Sequence, residues 1–214
     1  MKIKLLNDLT QALNIIYTAC RTCYSTKSPF ELIKQEPKLE LILKIARSGH
    51  LSTFEHVNCT FAIEGVSRSL LAQLTRHRLC SFSVQSQRYC KMDNNFVVPF
   101  SLDGDSRNIV GGILNKITDC YNTLIENGVK KEDARAILPN ATCTNLVMTC
   151  NLRELIHICN LRLCKRAQAE IRELTDLMRK EVTKQLPFME EFLVPNCKHC
   201  TEDKGCKNEY SRKN

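Results

Sequence analysis

The sequence predicts an α+β fold in which a mixed sheet packs with long helices. Segments 1–5 and 57–64 are predicted strands, and the second alternates apolar and polar side chains as a half-buried strand does. Residues 152–186 repeat apolar side chains every three or four positions, which is the period of an amphipathic helix. Strands that alternate with long helices are typical of mixed α and β domains.

Composition bounds the kind of protein. The chain has 214 residues, 43% of them hydrophobic and 25% charged, which suits a globular domain and excludes a disordered chain, a collagen and a coiled-coil rod. No run approaches the roughly 20 apolar residues that span a bilayer, so we expect no membrane segment. The net charge of +8 favours anionic partners such as nucleotides, phosphates or nucleic acid without choosing among them.

The cysteines indicate a reducing compartment. There are 13, an odd number scattered along the chain, and we interpret most of them as reduced, buried apolar residues. The first ten residues mix charged and amide side chains among apolar ones, which does not suit a signal peptide. We therefore expect a cytoplasmic protein.

The first half of the chain contains three predicted helices. Residues 8–22 form the first, and residues 37–48 form the second, which starts at Pro37 and stops at Gly49. Residues 66–79 form the third. Segment 80–90 is expected to be a strand or an extended loop, and residues 103–106 a turn.

The second half ends in the strongest helical signal. Residues 107–127 are predicted to be helical up to Gly128, residues 132–137 to form a short helix before Pro139, and residues 141–150 to form a strand. The long helix 152–186 follows and is stopped by Pro187. Since no linker stands out before residue 195, we predict one domain over 1–195 and a polar, Cys-rich tail over 196–214.

The densest polar constellation lies after the third helix. Arg76-His77-Arg78 is followed by Ser81, Ser86 and Arg88. Arginine forks bind phosphate in two-point geometry, and hydroxyls and backbone N–H groups can complete a phosphate cradle. On charge alone, a solvated basic helix end is the favoured interpretation.

The spacing of these residues resembles a known signature. Arg76-His77-Arg78-x-x-Ser81-x-x-x-x-Ser86-x-Arg88 has six fixed residues over thirteen positions and is similar to the signature of the flavin-dependent thymidylate synthases. Other segments between about residues 1 and 195 resemble the same family in the same order. They are 49–56, 133–139, 151–157, 161–162 and 167–171.

The resemblance implies a fold, an activity and an assembly. It implies the flavin-dependent thymidylate synthase fold and a methyltransferase that converts dUMP to dTMP in nucleotide biosynthesis. Methylenetetrahydrofolate would supply the carbon, and NADPH would reduce a bound FAD that supplies the hydride. It further implies a homotetramer with active sites shared between subunits, and no nucleic acid, membrane or metal partner.

The resemblance also assigns site residues. The residues expected to bind dUMP are Gln73, Leu74, Thr75, Arg76, Val84, Gln85, Ser86, Gln87, Arg88, Arg135 and Arg162, with Ser86 and Arg88 on the phosphate. The residues expected to bind FAD are His50, Ser52, Arg76, His77, Arg78, Asn151, Leu152, Arg153 and His157.

Arg162 is the expected catalytic residue. A fixed guanidinium beside the uracil ring would stabilise negative charge on the ring and make C5 more nucleophilic, whereas an arginine cannot readily give up a proton. His157 and Arg162 are five residues apart and project about 140° apart on a helix. We therefore expect them not to grip the same small group within one chain.

Several residues allow a plainer interpretation. Arg135 could simply pair with Glu132 on the surface, and Cys80, inside the signature, is favoured as a packing residue over a nucleophile. Cys197, Cys200 and Cys206 could bind zinc, but a reduced tail is favoured because the fourth ligand is not obvious. The rival functions are a nucleic-acid-binding protein that uses the basic charge and a metal-dependent regulatory tail on an inactive relative.

Overall fold

The fold is built on one four-stranded sheet. The computed structural model describes residues 1–93, 95–197, 200 and 206. The strands follow the sheet order β1-β2-β4-β3 and are β1 (Lys2–Leu5), β2 (Asn58–Ser67), β3 (Ser81–Val84) and β4 (Cys143–Asn151). The α-helices are α1 (Ala12–Thr22), α2 (Pro29–Leu32), α3 (Leu39–Arg47), α4 (Arg68–Leu74), α5 (Gly104–Glu126), α6 (Lys131–Ala134), α7 (Leu152–Arg162) and α8 (Ala169–Gln185). The predicted α+β class is confirmed.

The predicted alternation of β2 is present. Cys59, Phe61 and Ile63 are buried, and the residues between them are at least partly exposed. The strand runs to Ser67, three residues beyond the predicted end. Ser67 is also the N-cap of the next helix, because its side chain accepts a hydrogen bond from Leu70 N. The predicted helix 66–79 is therefore wrong at both ends.

The end of that helix changes the setting of the signature. Helix α4 stops at Leu74, and Thr75 turns its hydroxyl back to the carbonyl of Leu71. Arg76, His77 and Arg78 consequently lie in the loop before β3 and not on a helix. A loop can bury one of these side chains and expose its neighbours, and His77 is buried while both arginines are exposed.

The predicted continuous helix 152–186 is also wrong. It is divided into α7 and α8, with residues 163–168 between them. Neither glycine nor proline marks the break in the sequence. Arg172 Nη1 donates to the carbonyl oxygens of Lys165 and Ala167 at 2.9 and 3.4 Å, so a side chain from α8 compensates carbonyls that lose helical partners.

One helix was missed although its signal is local. Ser28 and Glu31 form a capping box around Pro29 at the start of α2. The turn predicted at residues 103–106 is in fact the start of α5, because Asp103 accepts a hydrogen bond from Ser106 N at 2.8 Å. The missed helix α2 and the earlier start of α5 both arise from capping side chains, which can be recognised from the local sequence.

The described chain divides into two compact units. The first comprises Met1–Lys2, Ile63–Arg76 and Phe82–Val147. Part of its core is formed by Met92, Tyr121 and Ala134, and the partly buried Ile137 and Leu138 are among the side chains packed against them.

The second unit comprises Ile3–Ala62, His77–Ser81 and residues from Met148 onward. Phe54, Phe61 and Ile158 are fully buried there, together with the α7 and α8 stripe that the sequence predicted. Most of the predicted tail, including residues 198–199, 201–205 and 207–214, lies outside the described residues. Within the described part of the chain, no helix is long and apolar enough to cross a membrane.

Candidate active site

His77 is the centre of a buried polar cluster in the second unit. It is only 4% exposed although it lies in a loop between two exposed arginines. Its Nε2 accepts a hydrogen bond from Nε of Arg162 at 3.1 Å, and its Nδ1 lies 3.3 Å from a carboxylate oxygen of Glu154. The signature loop is thus joined to both ends of α7.

These contacts determine the protonation state of His77. Because an arginine Nε can only donate, Nε2 of His77 must carry a lone pair, and the ring proton is on Nδ1, facing Glu154. Burial, together with the nearby charges of Arg162 and His157, lowers the pKa of His77 to about 4. The ring is therefore neutral at pH 7.

Glu154 is a buried acid that the sequence analysis did not single out. Asn151 caps α7 by accepting from Glu154 N at 2.8 Å, which places Glu154 in the first helical turn. Its carboxylate is turned toward His77, and burial raises its pKa while His157 opposes that rise. The Asn-x-x-Glu spacing was a visible capping signal, but the contact with His77 depends on the fold.

His157 and Arg162 both contact His77. The ring of His157 lies edge-on to that of His77 with centroids 5.9 Å apart, while Arg162 bonds the same imidazole. Their five-residue spacing therefore does not prevent both side chains from contacting one imidazole. The expectation that they do not grip the same small group of a ligand stays a prediction.

His77, Glu154 and His157 also present ligand atoms of a kind that metals accept. One atom from each lies within 4.8 Å of the others. However, Arg162 holds a fixed positive charge against His77, which opposes a dication at this point. We assign these residues no metal, and hydrogen bonding already accounts for the orientation of His77.

The residues expected to bind FAD lie in the second unit, apart from Arg76. His50 and Ser52 are exposed around the start of a 3-10 turn, Ser52–His56. Leu152 is fully buried and donates its N–H to the carbonyl of Val57, so its side chain is a core residue. Arg153 is exposed and pairs with Glu55, a second acid that the sequence analysis missed.

The residues expected to bind dUMP lie in the first unit, apart from Arg162. Gln73 and Leu74 end α4, and residues 84–88 run from the end of β3 into the following loop. Leu74 is fully buried and Gln87 nearly so, whereas Thr75, Arg76 and Arg88 are exposed and Gln73 and Ser86 are half-buried. Gln85 N donates to the carbonyl of Asn145 at 2.9 Å and fixes the start of the loop.

Two arginines of this set, Arg88 and Arg135, share one acid. Nε and Nη2 of Arg88 both lie 3.0 Å from the same carboxylate oxygen of Glu132. Arg135 donates its Nε to the backbone carbonyl of Glu132 at 3.1 Å. In place of the alternative in which Arg135 pairs with the Glu132 carboxylate, Arg135 contacts the backbone of Glu132, and the carboxylate pairs with Arg88.

The cysteines are consistent with reduced packing residues. No disulfide joins cysteines among the residues that the structure describes, and burial raises the pKa of Cys59 and Cys159 to about 12. Cys80 is half-buried, and hydrogen bonding with it raises the pKa of the buried Cys150. His199 and most of the residues around Cys200 and Cys206 lie outside the described part of the chain, so a tail metal site stays a hypothesis.

Known proteins resemble this chain over most of its length. The family model described as "Thymidylate synthase complementing protein" matches residues 4–188. A flavin-dependent thymidylate synthase of Geobacter sulfurreducens is 38% identical over 205 residues, which cover 92% of this chain and 88% of that protein. One from Pyrococcus furiosus is 39% identical over 196 residues, covering 86% and 80%.

Solved structures show the same fold. The thymidylate synthase ThyX from Helicobacter pylori, complexed with FAD and dUMP, has a TM-score of 0.67 at 25% identity and covers 92% of this chain and 99% of its own. The UMP/dUMP methylase PolB of Streptomyces cacaoi, bound with 5-Br dUMP, has a TM-score of 0.76 at 22% identity and covers 90% and 96%. The resemblance first carried by the signature therefore extends to nearly the whole chain. The chain belongs to the flavin-dependent thymidylate synthase family.

Proposed function

We propose that this protein is a flavin-dependent thymidylate synthase that converts dUMP to dTMP. Methylenetetrahydrofolate is the carbon donor and NADPH is the reductant. The observation that carries the proposal is the bond between His77 and Arg162, because it joins the signature loop to the helix that supplies the other predicted site residues. Family membership supports the same reaction.

The residues of the second unit suit the chemistry of FAD. Its pyrophosphate needs cations, and its ring needs hydrogen-bonding partners. Arg78 and His157 are exposed and polar. Arg153 is a further cation, and an anion bound to it would share its guanidinium with Glu55. Bound FAD, once reduced, supplies the hydride of the reaction.

Arg162 is the proposed catalytic residue, and His77 orients it. The imidazole accepts from Nε of Arg162 and leaves the guanidinium positively charged. Because the ring is neutral, it does not repel that charge. A guanidinium held in this way stabilises negative charge that develops on the uracil ring and so raises the nucleophilicity of C5.

We also propose a cytoplasmic homotetramer. A chain with thirteen cysteines and no disulfide among its described residues supports a reducing compartment. Exposed Ile109 and Ile113 lie one turn apart on α5 and support contact with another copy of the chain. Sedimentation of the purified protein tests the assembly, and a monomer at micromolar concentration contradicts it.

The first experiment is a visible absorption spectrum after FAD addition and desalting, followed by titration with dUMP and an assay of dTMP formation. A retained flavin spectrum that responds to dUMP supports the proposal. A colourless protein in the presence of dUMP contradicts it and favours the nucleic-acid alternative, which salt-sensitive binding of labelled DNA or RNA would support.

Two substitutions test the residue assignments. Arg162→Ala should reduce turnover more than FAD binding, and retained activity would contradict the catalytic role. Arg88→Ala should raise the dUMP concentration needed for half-maximal rate. Unchanged affinity for dUMP would refute the phosphate assignment.

A further inference from the structure

Glu132 contacts two of the arginines that the first unit offers to the nucleotide. Its carboxylate bonds Arg88 and its backbone carbonyl accepts from Arg135. Burial lowers the pKa of Arg68, and the charge of Arg135 lowers it as well. One acid thus contacts two arginines, the second of which lies near a third.

The geometry of the Arg88 contact is specific. A guanidinium has two edges that can each present a pair of parallel donors. The side edge, formed by Nε and Nη2, points at a single oxygen of Glu132 at 3.0 Å from both nitrogens. The end edge, formed by Nη1 and Nη2, is thereby turned away from Glu132 and retains the two-donor geometry that matches a phosphate.

Arg88 makes a second contact, with the ring of Tyr89. Cζ of Arg88 lies 5.5 Å from the ring centroid of Tyr89, within the range of a cation–π contact. The carbonyl of Tyr89 accepts from Nζ of Lys131 at 2.9 Å, which ties Tyr89 to α6, the helix that carries Glu132. The acid, the ring and the arginine therefore form one connected group.

This group rests on a rigid base. Ala134, two residues after Glu132, is 1% exposed and packs in the core cluster with Met92 and Tyr121. Arg88 and Glu132 themselves keep 53% and 38% of their side-chain surface exposed. The guanidinium is thus held from the core side and remains accessible to a ligand.

We propose that Glu132 is a positioning residue that presets Arg88 to receive the phosphate of dUMP. The inference rests on the proposed function and extends it to a residue outside the predicted site set. A flexible arginine loses side-chain freedom when it binds an anion, and a preset one loses less. Partial neutralisation of Arg88 by Glu132 acts in the opposite direction, and we infer that orientation outweighs it.

The test compares Glu132→Ala with Asp133→Ala in the FAD-loaded, full-length protein. Asp133 is the neighbouring exposed acid on the same helix, so its loss changes the net charge equally. Calorimetric titration with dUMP should give a Kd about three- to tenfold higher for Glu132→Ala and little change for Asp133→Ala. Glu132→Gln, which keeps an acceptor oxygen, should restore most of the affinity.

Two further readouts separate positioning from a general structural effect. Binding of deoxyuridine, which lacks the phosphate, should not differ between Glu132→Ala and the parent protein. In the dTMP assay, KM for dUMP should rise while kcat at saturating dUMP changes little. Equal weakening of both ligands would indicate a structural role and overturn the inference.

The remaining outcomes are also decisive. Tighter dUMP binding by Glu132→Ala would mean that the carboxylate competes with the phosphate for Arg88. Unchanged binding would mean that the carboxylate neither positions Arg88 nor competes with the phosphate. Each of these outcomes overturns the inference and leaves the proposed function intact. Failure of the parent protein to bind dUMP would overturn the proposed function and this inference with it.

Discussion

Acidification should destabilise the folded protein through His77. The unfolded chain holds this imidazole near its ordinary pKa of 6.5, whereas the folded protein holds it at about 4 because the ring is buried beside Arg162 and His157. Between these values the unfolded chain binds more protons than the folded protein. Stability from this residue is therefore present above about pH 6.5 and is lost as the pH falls toward 4.

The magnitude follows from the two pKa values. Between pH 7 and pH 5 the unfolded imidazole becomes almost fully protonated and the folded one remains almost neutral. This lowers the free energy of unfolding by about 2 kcal/mol. For a chain of this size, that corresponds to a fall in Tm of about 4–8 °C.

The assay is urea unfolding of the FAD-free protein at pH 7 and pH 5, at one protein concentration, for the parent chain and His77→Gln. Glutamine offers one donor and one acceptor, as the neutral imidazole does, but cannot be protonated in this range. Glu154 works in the opposite direction, because its pKa is raised in the folded protein and acidification favours that state. Only the difference between the two proteins isolates His77.

The parent chain should lose about 2 kcal/mol more than His77→Gln between the two pH values. Equal losses would refute the reasoning, since they would show that His77 is not held neutral by its surroundings. A larger loss in His77→Gln would refute it as well. Lower stability of the variant at pH 7 alone reports packing and does not affect the comparison.

The remaining predictions concern packing. Tyr121→Phe should lower the free energy of unfolding by about 1–3 kcal/mol, because the buried Tyr121 hydroxyl accepts a hydrogen bond from Met92 N at 3.3 Å and its loss leaves that donor unpaired. Chemical unfolding measures this free energy, and a change below about 0.5 kcal/mol would contradict the prediction. In native protein treated with iodoacetamide at pH 8, the exposed Cys23 and Cys120 should react first while Cys59 and Cys159, with pKa raised to about 12, stay unmodified. Peptide mass mapping checks the order, and early labelling of Cys59 or Cys159 would show that they are not buried as thiols.

Periodicity and spacing predicted much of this fold. The alternation in β2 and the apolar stripe through α7 and α8 were visible because side chains repeat every two residues in a strand and about every 3.6 in a helix. Pro187 and Gly128 marked real helix ends. The signature residues could be recognised because their spacing is local, so no knowledge of the fold was needed.

The two wrong helix predictions share a cause. The sequence joined α7 to α8 because no glycine or proline separates them, and the break is compensated by Arg172, which donates to carbonyls of the intervening segment. It extended α4 through Arg76-His77-Arg78 because helix propensity does not register that His77 will be buried. In both places, contacts between separate elements outweighed local preference.

The sequence by itself determined the family, the α+β class and the residue types available for chemistry. Only the tertiary structure decided that Glu154 faces His77, that Arg162 and His157 lie against the same imidazole, and that Glu132 bonds Arg88. His77 and Arg162 are 85 positions apart, and Arg88 and Glu132 are 44 apart. The range of a salt bridge or hydrogen bond is a few ångströms, so the pairing of such distant residues is fixed by how the chain folds and not by their order along it.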